Sequence, residues 1–407
     1  MKASGLVVEY NPFHNGHLFH VQQAKKISSA DCIIAVMSGS FLQRGEPAII
    51  DKFHRTKTAL ASGVDIVLEL PYAYAVQSSE LFAKGAIHTL QKIGVDSLCF
   101  GSESGNISDF ITSYNTLKEK NETFKRILKK SLNDGYSFPE ASKEAYRTIG
   151  LTTNSLDLSK PNNILGFSYV KTILDADLTI RPLTIKRIKS DYHDQEINGK
   201  IASATSIRKQ LLNKQNFTAD KISISMPKAT LNQLHKYKDN TGIWHDWEKY
   251  FHLVYYRVLT MTPEELASIY GIDEGIEHRI IKSVKNATSL NDWIKTIKTK
   301  RYTWTRIQRM FVHILTNTKK EELQMIKKLS SVPYIRLLGI TKTGRAYLNS
   351  KKKEIDIPII SSLKKNLHPL LKIEERATNA YYSIFSPEIR KKLHAQELQA
   401  PIILNNS

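Results

Sequence analysis

Apolar positions in the first half of the chain fall into short blocks separated by segments of helical period. Leu6 to Tyr10 reads as a strand, and His17 to Ile27 has helical spacing. Cys32-Ile33-Ile34-Ala35-Val36-Met37 is apolar at every position, which predicts a strand covered on both faces. A helix over 51–61, a strand from Asp65 closed by Pro71, a helix over 79–93 and a strand at 97–100 ending in Gly101 follow. Pro161 opens a helix over 161–174, and Leu178 to Ile185 is a further strand candidate. This alternation predicts an α/β fold, a Rossmann-like doubly wound parallel sheet. From about residue 205 the period turns helical, with polar breaks near 238–242 and 271–273. The expected division is therefore a sheet domain over 1–212 and a mostly α-helical domain over 213–407.

Charge separates the same two halves. The net charge of the 407 residues is +20. Residues 1–200 hold 24 Lys and Arg against 21 Asp and Glu, whereas residues 201–407 hold 35 against 18. A field of that sign draws polyanions, so a nucleic acid is the expected partner of a basic second half. No run of 18 apolar residues occurs and the N-terminal apolar run is too short for a signal peptide, so neither a membrane span nor secretion is expected. Cys32 and Cys99 lie inside apolar runs and read as buried, reduced thiols of a cytoplasmic protein. No Cys/His cluster has zinc-ligand spacing, and no structural metal is expected.

Candidate chemistry begins where the first strand gives way to the first helix. Val7-Val8-Glu9-Tyr10-Asn11-Pro12-Phe13-His14-Asn15-Gly16-His17 places two imidazoles around a glycine at a helix start. Free N–H groups and the positive dipole end there suit a phosphate, and Gly16 admits close backbone approach. His14 and His17, with Arg208, are the expected catalytic groups, because two imidazoles can stabilise charge developing on phosphorus; His20 lies one turn on. A second helix start, Ile201-Ala202-Ser203-Ala204-Thr205-Ser206-Ile207-Arg208, supplies hydroxyls and a cation. Thr205, Ser206 and Arg208 are expected at the β and γ phosphates. Gly101, Asn162 and Arg187 complete the expected ATP site, although a turn glycine, a helix start and a solvated strand end account for them equally well. Neither a Walker A loop nor G-x-G-x-x-G occurs. The loop after the second strand, with Ser38, Gly39 and Arg44, reads as a substrate-binding loop in which Arg44 pairs with a small carboxylate or with a phosphate. In the second half Lys298, Lys300, Arg301, Tyr302, Trp304, Arg306 and Arg309 interleave cations with aromatic rings, and Lys342 and Arg345 form a second basic loop. Both segments are expected to contact RNA.

His14-Asn15-Gly16-His17 resembles the HxGH signature of the nucleotidylyltransferase superfamily, and Ser203 to Arg208 resembles its second motif, I-S-S-T-x-I-R. Asn11 stands where that superfamily carries Asp, and Ala204 replaces a Ser. Over nearly its whole length the chain resembles the bacterial tRNA(Met) cytidine acetate ligase family, on 7–17, Met37 to Ala48, Pro161 to Gly166, Arg301 to Thr303 and Leu337 to Gly339. The resemblance implies an enzyme that joins acetate to ATP with Mg²⁺, releases pyrophosphate and holds an acetyl-adenylate. It further implies acetyl transfer to N4 of the wobble cytidine of elongator tRNA(Met), giving N4-acetylcytidine and AMP. Two other readings stay open on the residues: a small-molecule nucleotidylyltransferase without RNA, and a non-catalytic tRNA-binding protein.

Overall fold

The computed structural model describes residues 1–152, 156–187, 202–213, 222–363 and 368–404. Ile201 of the second motif lies outside the described residues. One sheet of eight strands organises the chain: β1 (Ala3–Val8), β2 (Cys32–Ser38), β3 (Ile66–Leu70), β4 (Ser97–Ser102), β5 (Arg181–Lys186), β6 (Ile335–Thr341), β7 (Ile359–Ile360) and β8 (Ile402–Leu404). Their order is β5-β4-β1-β2-β3-β6-β7, with β8 also paired to β6. β1 to β5 are mutually parallel, as the alternation of elements predicts. β1 ends two residues before the expected Tyr10, whose left-handed φ of 49° breaks the strand.

β2 is apolar throughout because neither of its faces meets water. Cys32, Ile34 and Val36 join the core that continues into the second half of the chain, while Ile33, Ala35 and Met37 join Leu6, Val8 and Val67 on the other face. The order of strands reverses between β1 and β4, and these two pair only at Ser4↔Ser97 and Gly5↔Leu98. Beyond Gly5 they diverge, which opens a crevice at the carboxyl ends of the strands, where ligands of such sheets bind. Helices Ile107–Glu119, Asn121–Asn133 and Phe138–Thr148, absent from the sequence reading, fill the chain between β4 and helix Pro161–Asp175.

The second half is mostly helical, but it also returns to the sheet. Lys342 and Arg345, expected in a basic loop, instead open helix Lys342–Lys351 directly after β6. β6 runs antiparallel to β3, pairing Ile66↔Ile340 and Val67↔Gly339, and all seven of its residues are buried. Helix Lys52–Ala61 crosses so close that a Cβ on Gly339 would lie 2.6 Å from Thr56 Cγ2.

Buried charges join the halves beneath the crevice. Lys52 Nζ lies 2.8 Å from Glu69 Oε2 and 2.7 Å from Glu397 Oε1, and Arg336 of β6 lies 3.1 Å from Glu397 Oε2. Nearby, Tyr381 donates to the carbonyl of Ala48 at 2.7 Å and stacks on His245 at 3.8 Å, while His245 donates its backbone N–H to Ile49. The second half thus holds the loop 40–51 from behind. Gly45 in that loop has φ +81°, and a Cβ there would meet the Arg309 backbone nitrogen at 2.5 Å.

Candidate active site

His14 is the N-cap of helix Asn15–Ser28. Its Nδ1 accepts the Gly16 N–H at 3.0 Å, and its own N–H donates to His17 Nδ1 at 3.3 Å. Both Nδ1 atoms are acceptors, so each neutral ring carries its proton on Nε2. The two rings stack at 3.8 Å. His20 donates its Nε2–H to the Cys99 carbonyl of β4 at 3.2 Å. The backbone has thereby set the tautomers of a paired N–H donor at the sheet's switch point. Tyr10, Asn11, Pro12 and Phe13 are buried and build the turn rather than line the crevice. Asn11 Oδ1 accepts the Ile49 N–H at 2.7 Å, so this side chain anchors the loop after β2. Asn15 faces away, with Nδ2 donating to the Ile224 carbonyl at 2.9 Å.

The second helix start meets the first. Ser203 caps helix Ala204–Leu212 by accepting the Ser206 N–H at 3.1 Å. Arg208 then reaches back across 197 residues, donating to the Asn11 carbonyl at 2.9 Å and to Glu46 Oε2 at 3.1 Å. Thr205 is exposed to the same space, whereas Ser206 is buried and donates its hydroxyl to the Ser203 carbonyl. At the end of β4 a Cβ on Gly101 would lie 3.2 Å from Arg187 Cγ. Arg187 donates to Asn162 Oδ1 at 3.4 Å. Glu103 holds this corner together by accepting from Asn162 Nδ2 at 2.7 Å and from the Asn163 N–H at 2.7 Å. Sequence reasoning missed Glu103, because its partner helix begins some 60 residues later with no motif between them.

These residues share one cavity of about 1310 Å³, lined by Val7, Val8, Glu9, His14, Gly16, His17, His20, Gly101, Asn162, Arg187, Thr205 and Arg208. The HIGH Nucleotidyl Transferase family matches residues 1–397 of the chain. The tRNA(Met) cytidine acetate ligase of Oceanobacillus iheyensis is 58% identical over 404 residues, covering 99% of this chain and all of its relative. The chain belongs to the tRNA(Met) cytidine acetate ligase family. The Bacillus subtilis ligase is 46% identical over 406 residues, covering 99% of this chain and 97% of its relative. Among solved structures, Thermotoga maritima TmcAL bound with alpha-thio ATP matches all of both chains with a TM-score of 0.89 at 32% identity. The family assignment accounts for the fold: a Rossmann-like HxGH domain continued by a mostly helical basic half.

The remaining expected residues divide. Arg44 and its neighbours Gln43 and Glu46 line the cavity, but Ser38 and Gly39 do not. Their carbonyls accept the Arg55 guanidinium, and a Cβ on Gly39 would clash with Glu69. Arg301, Arg306 and Arg309 of the second half line the same cavity. Burial and the neighbouring Arg306 pull Arg309 down to about 10. Tyr302 is buried under the Arg306 guanidinium, 4.2 Å from its ring centre. Lys298, Lys300 and Trp304 stand outside the cavity. Lys342 and Arg345 lie just past the end of β6, at the amino end of β3, where the Thr341 hydroxyl donates to Asp65. Among the described residues no group of three His, Cys, Asp or Glu side chains forms a metal site, and no helix is long and apolar enough to cross a membrane. Cys32 and Cys99 are buried and free.

Electrostatics fix the charge state of the histidines. Desolvation, followed by the nearby Arg187 and Arg208, pulls His14 down to about 3. Desolvation also takes His20 to about 4 and His17 well below its ordinary value. All three are neutral donors at neutral pH. A base whose native pKa lies below its unfolded value of 6.5 costs stability as pH falls through 6.5, because only the unfolded chain takes up the proton. At pH 5 the cost for a group such as His14 is about 2 kcal/mol, from roughly 1.4 kcal/mol per pKa unit. Urea midpoints are therefore expected to hold above pH 7 and fall toward pH 5, less steeply in His14→Gln; equal slopes in the two proteins would contradict this charge state.

Proposed function

We propose that this chain activates acetate with ATP and passes the acetyl group to N4 of the wobble cytidine of elongator tRNA(Met). The observation that carries the reading is the single cavity in which His14, His17, Thr205 and Arg208 of the first half meet Arg301, Arg306 and Arg309 of the second. A small-molecule transferase has no use for the second set, and a retired scaffold has no use for the first. In this reading residues 1–212 carry the adenylyl chemistry and 213–407 supply most of the tRNA contact.

In the first step an acetate oxygen attacks the α-phosphorus, and pyrophosphate leaves. The Nε2–H groups of His14 and His17 donate to the α-phosphate oxygens as their charge grows. Thr205, Arg208 and Arg187 hold the departing phosphates, which carry Mg²⁺ as the substrate chelate. Arg44, the member of the expected trio Ser38, Gly39 and Arg44 that lines the cavity, pairs with the carboxylate. Acetate is already ionised, so positioning supplies much of the rate. Acetate-dependent exchange of labelled pyrophosphate into ATP, without tRNA, tests this step; no exchange at saturating acetate would refute it.

In the second step the N4 amine attacks the acyl carbon, AMP departs with the C–O electron pair, and the amine loses a proton. Glu9 is the acceptor in this reading. Its Oε1 takes the Gln43 N–H at 2.8 Å, and its other oxygen has no hydrogen bond among the described residues. Burial raises its pKa above the usual carboxylate value, offset by the Gln43 N–H and by Arg44 and Arg208. General bases of this kind contribute about 10²–10⁴-fold. Glu9→Gln is expected to keep acetate-dependent exchange and to slow single-turnover transfer to tRNA at least 100-fold, on the order of that range. Equal losses in both steps would remove Glu9 from this role.

A further inference from the structure

Two aromatic rings at the cavity's mouth have no part in the adenylyl chemistry. Tyr136 lies in the turn between helices Asn121–Asn133 and Phe138–Thr148, Phe138 opens the second of them, and both line the cavity that holds His14 and His17. They are nevertheless 52% and 56% exposed. Tyr256 is the other large aromatic exposed among the described residues, and it lies away from this cavity.

The turn itself does not require these rings. Gly135 supplies its left-handed corner at φ +85°. Ser137 caps the next helix in a reciprocal box with Glu140, and Pro139 occupies its first turn. A turn defined by Gly135, Ser137, Pro139 and Glu140 leaves the residues at 136 and 138 free to be polar. Two large rings in water at the mouth of a catalytic cavity therefore point to a ligand with flat faces.

The helix leading into the turn indicates what that ligand is. Lys125, Arg126, Lys129 and Lys130 are all exposed and, at helical spacing, share one side of helix Asn121–Asn133. Lys125 pairs with Glu122 at 3.1 Å, and that pair is itself exposed. A cationic ridge running into a pair of aromatic rings is the arrangement that holds single-stranded nucleic acid, with phosphates on the cations and bases on the rings. A nucleotide that enters a cavity for chemistry on its base must leave its stack, and its neighbours lose a stacking face. Rings at the rim replace that face.

We infer that Tyr136 and Phe138 stack the bases flanking the modified nucleotide in the single-stranded loop of the RNA substrate, with the Lys125–Lys130 side of the preceding helix on its phosphates. This places an RNA contact in the first half of the chain, and it rests on the proposed acetyl transfer to tRNA.

The test uses the full-length protein and an unmodified elongator tRNA(Met) transcript. Filter binding compares the dissociation constants of the wild type, Tyr136→Ala/Phe138→Ala and Tyr136→Trp/Phe138→Trp. The alanine variant is expected to bind the transcript roughly tenfold or more weakly per ring, with the tryptophan variant restored, in keeping with base–aromatic stacking. Acetate-dependent ATP–pyrophosphate exchange is expected to stay unchanged in both. An unaltered dissociation constant in the alanine variant would overturn the inference. So would a raised KM for ATP with RNA affinity intact, because the rings would then serve the nucleotide triphosphate. Binding is read without catalysis, so a wild type that bound the transcript through these rings yet transferred no acetyl group would sink the proposed reaction and leave this contact standing.

Discussion

Replacing His17 with alanine is expected to lower kcat for acetate-dependent ATP–pyrophosphate exchange about 10²–10³-fold, the usual loss when one preorganised donor to a transition-state charge is removed. His17 Nδ1 is already occupied by the His14 N–H, so Nε2–H is the only polar hydrogen that this ring presents to the cavity. The ring is neutral before ATP arrives, which makes it a dipolar donor rather than a charge that binds every anion equally. An interaction that strengthens only as the α-phosphate becomes pentavalent appears in kcat more than in KM. His17 also completes the cap of helix Asn15–Ser28, so some stability is lost with it, on the order of 1 kcal/mol. Thermal unfolding separates the two effects: a protein still folded at the assay temperature with full exchange would contradict the assignment.

Lys52→Ala is expected to destabilise the chain by about 3–5 kcal/mol, the typical cost of removing one partner from a buried ion pair. Lys52 is 1% exposed and lies between Glu69 and Glu397. Without it the two carboxylates face each other, with Glu374 close by. Burial and the Glu69 charge already raise the pKa of Glu374 well above its ordinary value, against the opposing pull of Lys52 and Arg336. Lys52 belongs to the first half of the chain and Glu397 to the last helix, so the loss also loosens the backing of the loop that carries Gln43, Arg44 and Glu46. A urea midpoint shifted by less than the equivalent of about 1 kcal/mol would show that water or relaxation replaces the ammonium.

Features written in contiguous residues were legible in the sequence. A parallel sheet covered on both faces writes strands as unbroken apolar runs, so β2 and β3 could be read directly. The HxGH turn and the start of the helix at Ala204 are local motifs whose function follows from backbone N–H groups and nearby side chains. What escaped depends on pairing across long separations. β6 looks like a loop beside basic residues because its partner, β3, precedes it by some 270 positions. Ser38 and Gly39 follow a strand as pocket residues do, yet Arg55 and Glu69 occupy the space around them. The split among the basic residues has a simple cause. Thr303 caps helix Trp304–Leu315, so Arg306 and Arg309, three apart, share the side turned to the cavity, whereas Lys298 and Lys300 precede the helix. Glu103, Lys52, Arg336 and Glu397 carry no motif, and only the folded chain brings them together.

Incubating the protein with labelled acetate, ATP and total tRNA, then digesting the RNA and identifying the labelled nucleoside, tests the whole account in one measurement. Label is expected in N4-acetylcytidine from elongator tRNA(Met), dependent on ATP and accumulating about 10²–10³-fold more slowly with His17→Ala. Label in no nucleoside, or label that appears without ATP, would contradict it.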